Sequence, residues 1–428
     1  MTPELIFFTL GCIMLLPLAT AGLALIHQGL GRSRSAAHAM LATLCALGIS
    51  AIFTVAFGFA WALGTGPAHV FTAGGATWDW LGRGPFFAHT LHFTQPDALA
   101  LGMALRLCLL IFAAGLAAIP ALSGGADRWR LAPACLAIAV LATFVFPLFV
   151  HWTWGGGWLA QLDRNFALPA FTDVGGAGAI QVVGGLFAAT VAWLLGPRRG
   201  KYADDGVPAA IPGHNIVQVL YGCILALAGW IALDSAASIL FHAAAPLEIA
   251  GVILNATLAA SAGCLAAVAI TRARYRKPDA SMSANGWIAG LVAGSASCAL
   301  VTPLAAIAIG GIAGALVVYM IEIAEMRLQI DDPGGAVSVH AGAGIWGLIA
   351  AGIFASRSPV AHLLSQIIGV AALLGLILPL LYAVSVIIDR FVPYRVDSDG
   401  DWQGMDIREL GAGAYPEFVL HADDFVPR

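Results

Sequence analysis

The sequence predicts an all-α membrane protein with eleven transmembrane helices, arranged as an inverted five-helix repeat followed by a long final helix. Of its 428 residues, 60% are apolar and only 10% are charged, whereas a typical soluble domain is about 25% charged. Long stretches carry no charge, and basic residues cluster after every second stretch. The net charge of −4 provides no basic face for a nucleic acid.

The spans follow from the stretches without Lys, Arg, Asp or Glu, because a helix needs about 20 apolar residues to cross a bilayer. Residues 280–321 are long enough for two crossings, and Thr302-Pro303 is the natural break between them. Adding 98–122, with one Arg, and 214–240, with one Asp, gives eleven spans. The uncharged stretches are 5–31, 36–78, 131–162, 175–197, 206–233, 249–271, 280–321, 333–356 and 358–388.

Basic residues predict the orientation, since Lys and Arg concentrate in cytoplasmic loops. They follow the odd-numbered spans, as at Arg128 and Arg198, and the loop 197–213 is expected to be solvated. This pattern predicts a multi-pass protein of the inner (plasma) membrane with its N-terminus outside. Residues 1–390 would form the transmembrane domain and 391–428 a cytoplasmic tail.

Glycine and alanine dominate the spans, which favours close helix packing in lipid. The seven cysteines all fall inside predicted spans and form no Cys-x-x-Cys pair. Neither a metal site nor a cofactor is therefore expected. The sequence also has no recognisable nucleophile–base pair, so an enzyme is not expected.

Two polar residues inside predicted spans are candidates for a functional site, because polar groups are costly in the membrane. Gln181 in the fifth span and His340 in the tenth follow similar Gly-Gly flanks. Five crossings separate them, so a five-helix repeat would be inverted, and such repeats often place a site at the midplane. A helix–helix hydrogen bond without a transport role is the alternative.

Several short motifs occur in a characteristic order along the chain. They are Gly22–Ser33, His151–Trp158, Asp173–Gly176, His214-Asn215, Asn285–Ala293, Asp331–Pro333 with His340, and, in the tail, Gly404–Leu410 with Ala414-Tyr415. This series resembles the ammonium transporters of the Amt/Mep/Rh family over nearly the whole chain, as a divergent bacterial member.

The resemblance implies a homotrimer in the lipid bilayer, with a narrow pore in each subunit. In the family, ammonium is attracted by a vestibule Trp, loses its proton and passes two facing histidines. Trp154 matches that Trp, and His340 matches the second histidine. Gln181 stands in place of the first histidine, and Asp173 matches an acidic residue expected to cap the fifth span.

Other positions depart from the family pattern. The outer aromatic gate falls on Leu233, the vestibule Ser falls on Ala237, and Phe112 is the nearest candidate for the gate of span three. Asp234 replaces an amide beside that gate. It could pair with Arg106, or each could instead bond to backbone.

The resemblance therefore implies transport of ammonium or ammonia, slow or electroneutral because Gln181 cannot titrate near neutral pH. An ammonium sensor that conducts little is one alternative, and a pore for another small neutral molecule is the other. The family's cytoplasmic surface also implies a PII-type regulator as a partner of the tail.

Overall fold

The computed structural model describes residues 1–64, 69–91, 98–355 and 358–415, and long helices follow the predicted order through these ranges. We number them as spans one to eleven. They are Pro3–Leu30, Ser33–Leu63, Ala98–Gly124, Leu131–Thr153, Ala177–Leu195, Ile216–His242, Pro246–Tyr275, Ala280–Ser295, Pro303–Met326, Val337–Phe354 and Pro359–Phe391.

Ten helices within these ranges are long and apolar enough to cross a membrane, and span eight is the exception. Its 16 residues rise only about 24 Å at 1.5 Å per residue, less than the hydrocarbon core of about 30 Å. Span eight packs against spans seven and nine, which also pack against each other. The membrane fold class is thus confirmed, and the count of eleven depends on this short helix.

The break between spans eight and nine lies at the predicted dipeptide. The Thr302 hydroxyl accepts a hydrogen bond from the Ala305 N–H at 3.4 Å, and Pro303 occupies the first helical position. Proline suits that position because its missing N–H has no partner within the helix. The long uncharged segment therefore divides into two helices.

A β-hairpin is a feature that the all-α prediction missed. Span two ends at Leu63, and β1 (His69–Ala73) pairs antiparallel with β2 (Ala76–Leu81). The Gly74-Gly75 turn has φ of +61° and +79°, as a tight hairpin turn with two left-handed residues requires. Lack of charge alone could not distinguish this aromatic hairpin from a continued helix.

Glycines let the helices approach closely, as predicted from composition. A β-carbon on Gly184 would lie 2.5 Å from the Ala117 carbonyl oxygen, and one on Gly286 would lie 2.6 Å from that of Gly263. Real side chains do not occupy such positions, so backbone packs directly on backbone. The bundle is accordingly dense around the junction of its two halves.

A buried ionic network closes the end of the bundle that carries the basic loops. Arg198 donates to both carboxylate oxygens of Asp331 at 2.9 Å and to Asp127 at 2.8 Å. Arg128 donates to the Asp331 carbonyl at 2.7 Å, so both arginines lie on one side, as predicted. Most of the loop 197–213 is exposed or half-exposed, as expected, but Arg198 is 3% and Lys201 7% exposed, because carboxylates draw these two side chains inward.

Burial and charge partners act in opposite directions on the pKa values in this network. Burial alone would raise the pKa of Asp331, but the hydrogen bonds and charge of Arg198 lower it to about 2. Burial lowers the pKa of Arg128 to about 10, against the attraction of Asp331. Both groups remain ionised at neutral pH, so the network holds the basic loops rigidly.

The chain after span eleven folds back against this same end. Asp406 accepts the backbone N–H groups of Ala37 and His38 at 3.2 and 2.8 Å, at the start of span two. Glu409 accepts the N–H of Leu131 at 2.7 Å, at the start of span four. The described part of the tail is thus anchored to helix N-termini, where carboxylates are favourable. Residues 416–428 of the predicted tail lie outside the described residues.

Candidate functional site

Gln181 and His340 meet at the centre of the bundle. His340 Nδ1 donates to Gln181 Oε1 at 2.8 Å, and both side chains are at most 1% exposed. Each residue lies in a wide π-helical turn, Ala177–Val182 or Val337–Gly342, at the start of its span. Such turns often occur at functional sites because they reorient side chains.

The two turns follow segments of matching sequence. Asp-Val-Gly-Gly-Ala-Gly-Ala-Ile-Gln occupies 173–181, and Asp-Pro-Gly-Gly-Ala-Val-Ser-Val-His occupies 332–340. The second glycine of each, Gly176 or Gly335, has φ of +86° or +69°. Glycine adopts this left-handed conformation without steric cost. The same backbone turn therefore brings each half of the chain to the shared polar pair.

A carboxylate caps each of these turns. Asp173 accepts the N–H groups of Gly178 at 3.1 Å and Ala179 at 2.8 Å, and Asp332 accepts that of Val337 at 2.7 Å. Burial raises the pKa of each carboxyl to about 6, against the lowering effect of these N–H groups. Their helix-starting geometry fits the capping role that we expected of Asp173.

Trp154, the expected cation-binding residue, is half-buried and has one face of its indole covered. Its Nε1 donates to the Asp173 carbonyl at 2.7 Å, and Phe241 stacks on it with ring centroids 4.5 Å apart and planes 12° apart. The Arg106 guanidinium lies 5.7 Å from the centroid of the Phe241 ring. It also donates to the Leu240 carbonyl at 3.2 and 3.0 Å. A protein cation and an aromatic ring thus occupy this entrance.

Asp234 is bound to a serine, so the direct ion pair considered above does not form. Ser295 donates to Asp234 Oδ2 at 3.2 Å and accepts from Trp230 Nε1 at 2.8 Å. The other carboxylate oxygen has no partner among the described residues. A β-carbon on Gly175 would collide with it. Arg106 follows the backbone-bonding alternative.

The positions matched to the family's gate and vestibule serine pack in the core of the bundle. Leu233 and Ala237 are fully buried in the apolar core, and Phe112 is half-buried against it. Among the described residues, the aromatic ring in contact with Trp154 is that of Phe241. The motif comparison missed Phe241 because this residue lies two helical turns beyond Leu233, where the family pattern places the gate.

His27 is the second residue that sequence reasoning missed. Its ring meets the ring of His340 edge-on, with centroids 6.1 Å apart and planes at 79°. A histidine near the end of a span is most simply interpreted as a packing residue. Only the folded structure brings it to His340, because more than three hundred residues separate the two.

A cavity lies at the end of the bundle that carries the ionic network, next to Asp332. It has a volume of about 390 Å³ and mixes charged, polar and apolar lining. The polar lining includes Arg198, Lys201, Asp279, Asn285, Asp332 and Ser338. Asp332 Oδ1 has no hydrogen-bond partner among the described residues.

A bundle of membrane-spanning helices with a narrow polar contact at the junction of two halves is typical of a transport protein or channel. The chain belongs to the Ammonium Transporter Family, whose model matches residues 7–415. Members of this family are transporters, so the chain is not an enzyme.

Relatives of known name support this assignment over nearly full length. Ammonium transporter Amt2 of Archaeoglobus fulgidus is 33% identical, with 95% of this chain and 87% of the relative covered. The ammonium transporter of Bacillus subtilis is 27% identical, with 96% and 98% covered.

Solved structures give the same fold. A protein described as "Sensor Amt Protein" matches with a TM-score of 0.86 and 26% identity, covering 95% of this chain and 98% of that one. Candida albicans Mep2 matches with a TM-score of 0.76 and 22% identity, covering 98% and 93%. At that identity, the second match supports the fold alone.

Proposed function

We propose that the protein transports ammonium or ammonia across the plasma membrane through a narrow path in each subunit, and that this transport is slow or electroneutral. The hydrogen bond between His340 Nδ1 and Gln181 Oε1 is the observation that carries the proposal. It lies where the two halves meet, at the position where the family has two histidines.

The chemistry of this pair limits what can cross. Since His340 Nδ1 donates to an amide oxygen, its Nε2 carries the lone pair, and that atom has no partner among the described residues. Nε2 can accept a proton or a hydrogen bond, but the Gln181 amide cannot titrate near neutral pH. A proton taken from ammonium therefore cannot pass on through Gln181.

The energy of desolvation favours the neutral molecule in this path. An isolated cation transferred into an apolar interior has a large cost, whereas a neutral molecule needs only its hydrogen bonds replaced. Ammonia could therefore pass Gln181 and His340 while its proton stays behind. Rejection of potassium would follow, because potassium cannot lose a proton.

The test uses full-length protein in proteoliposomes that contain a pH-sensitive dye, with current recorded from the same preparation. We expect ammonium addition to alkalinise the lumen faster than in empty vesicles, with little current. The His340→Ala variant controls for passage at the polar pair. A large sustained current in the wild type would contradict electroneutral transport, and absence of flux would contradict transport itself.

A sensor function is the second candidate, and the covered face of Trp154 favours it. Phe241 and Arg106 occupy the region where a vestibule would recruit a cation. The likeness to the protein described as a sensor agrees with this candidate. A sensor would show ammonium-dependent thermal stabilisation in detergent but no ammonia flux in vesicles. A transporter would show the flux.

Assembly and topology complete the proposal. Residues 1–390 would form the transmembrane domain of a homotrimer, with the N-terminus outside and 391–428 in the cytoplasm. A monomer in gentle-detergent native mass spectrometry would contradict the trimer.

The tail, anchored at spans two and four, would offer a surface to a PII-type regulator. A pull-down with that regulator, with and without residues 396–428, tests this partner.

A further inference from the structure

We propose that His27, Ser123 and Trp129 form a second interior site beside His340 that binds one small neutral hydrogen-bonding molecule, ammonia or water. The role of ammonia at this site rests on the transport function proposed above. The site itself rests on a cavity and on three unpartnered polar atoms.

The three residues line a narrow cavity of about 40 Å³ between spans one, two and three. About 10–15 Å³ of such volume holds one water molecule, so the cavity accommodates a molecule of this size. His27 Nδ1, Ser123 Oγ and Trp129 Nε1 are each buried without a partner among the described residues. Buried polar groups normally have a partner, either protein or an ordered small molecule.

The cavity adjoins the transport path. The His27 ring contacts the His340 ring at a centroid distance of 6.1 Å. Three residues before the tenth span, a β-carbon on Gly334 would collide with Ser123 Oγ and lie 3.0 Å from His27 Cδ2. Glycine at this position therefore keeps both polar side chains in place.

The donors and acceptors select a neutral ligand. The Trp129 indole can only donate, whereas the Ser123 hydroxyl and the His27 imidazole can donate or accept. Ammonia can accept from the indole with its lone pair and donate its N–H groups to the other two. Water can do the same. Ammonium has no lone pair, so the indole N–H would oppose it.

The rest of the cavity lining points to a role in passage. It continues from His27 to Ser35, His38 and Asp127 at the ionic end of the bundle. A neutral molecule beside His340 could therefore leave along spans one to three, separately from the larger cavity at Asp332. This path does not use the position of Gln181.

The experiment compares wild type with Ser123→Ala and His27→Phe, which each remove one hydrogen-bonding group. His27→Gln retains such a group and serves as the rescue variant. Ser261→Ala is the matched control, because Ser261 bonds within its own helix, to the Thr257 carbonyl at 2.7 Å. High-resolution structures in ammonium chloride and in sodium chloride, ammonia flux and osmotic water permeability are measured on each full-length protein.

We expect density that bridges His27, Ser123 and Trp129 in the wild type and is lost in Ser123→Ala. Ammonia flux should fall about threefold to tenfold in Ser123→Ala and His27→Phe, as loss of one buried hydrogen bond predicts. The control should match wild type, and His27→Gln should recover most of the flux. Correct oligomeric state by size exclusion shows that each variant is folded.

An empty cavity in the wild type would overturn the site, whatever the protein transports. Density with unchanged ammonia flux in the folded variants would overturn the assignment to ammonia and leave a water site. If the wild type moves no ammonia, the transport proposal fails. The bridging density then still decides whether the site exists.

Discussion

The two halves of the chain use the same backbone turn, one at the start of span five and the other at the start of span ten. Asp173 and Asp332 each cap a wide turn after a Gly-Gly pair, and the turns deliver Gln181 and His340 to one hydrogen bond. The repeat thus preserves the geometry and changes one of the two central groups. A shared fold can therefore support different proton chemistry.

The neighbours of the two caps differ more strongly than the caps themselves. Before Asp173, the Thr172 hydroxyl forms a neutral hydrogen bond with His362 Nε2 at 2.7 Å. Before Asp332, Asp331 instead forms a buried ion pair with Arg198. One end of the path is held by a neutral contact and the other by charge, so the two ends should respond differently to substitution.

Asp331→Asn should have the largest effect on stability. Removing this carboxylate leaves the buried Arg198 with Asp127 as its remaining ion partner among the described residues, and breaking a buried ion pair costs up to about 3–5 kcal/mol. Loss of one neutral hydrogen bond in Thr172→Val should cost only about 1 kcal/mol. Thermal unfolding in detergent, followed by fluorescence-detected size exclusion, measures both. Equal losses of stability would show that the comparison between charged and neutral ends is wrong.

The cap carboxylates predict the next effect, a loss of stability as pH rises from about 4 to about 6. Burial raises the folded-state pKa of Asp173 and Asp332 from 3.8 to about 6. In this window the folded state therefore holds protons that the unfolded state has lost. Stability should fall by up to about 1.4 kcal/mol per pH unit for each group.

Asp332→Asn and Asp173→Asn should each flatten this part of the pH profile. An asparagine oxygen can still accept the N–H groups at the start of the span. The depressed pKa of Asp331, about 2, has the opposite sign, and its stabilisation is lost only as pH falls from about 4 toward 2. Thermal unfolding of the wild type and the two asparagine variants at several pH values measures these slopes. Unchanged slopes would show that other groups set the pH dependence.

Gln181→His should restore symmetry at the centre and raise ammonium-driven current by roughly tenfold or more, since a positioned proton-transfer group contributes about 10²–10⁴-fold. The increase should vanish when His340→Ala is added, because the relay needs both imidazoles. Current from proteoliposomes measures the effect. No increase, in a chain whose wild type already conducts well, would show that another group carries the proton.

The sequence predicts features whose signal lies within a short segment, and it misses contacts between residues that are far apart along the chain. Charge-free stretches located the spans, and the local Gly-Gly pattern identified Gln181 and His340, because both signals lie within a few turns. The contacts of Phe241 with Trp154 and of His27 with His340 join residues on different helices. Their mutual position is set by packing, which a single sequence does not display.

The charge-free rule also has a physical limit, visible at the hairpin after span two. Absence of charge reports compatibility with an apolar or interfacial environment, and both a helix and an aromatic hairpin satisfy it. The Gly74-Gly75 turn was the local signal that could have separated them. Arg198 shows the converse, since a basic loop residue can be buried when carboxylates from distant segments surround it.

The smallest predicted effect concerns the outer entrance, where charge again distinguishes the two ends of the path. Arg106 places a guanidinium over Phe241, which in turn covers Trp154. Arg106→Gln should free the outer face of Phe241 for ammonium while the amide can still donate to the Leu240 carbonyl. Since a cation–π contact contributes about 0.5–2 kcal/mol, the half-saturating ammonium concentration should fall about twofold to tenfold.

Arg106→Lys is the matched control, because it keeps a cation beside Phe241 and should leave the half-saturating concentration near that of the wild type. Flux measured over a range of ammonium concentrations decides the matter: if the lysine and glutamine variants lower the value equally, side-chain size rather than charge controls this entrance.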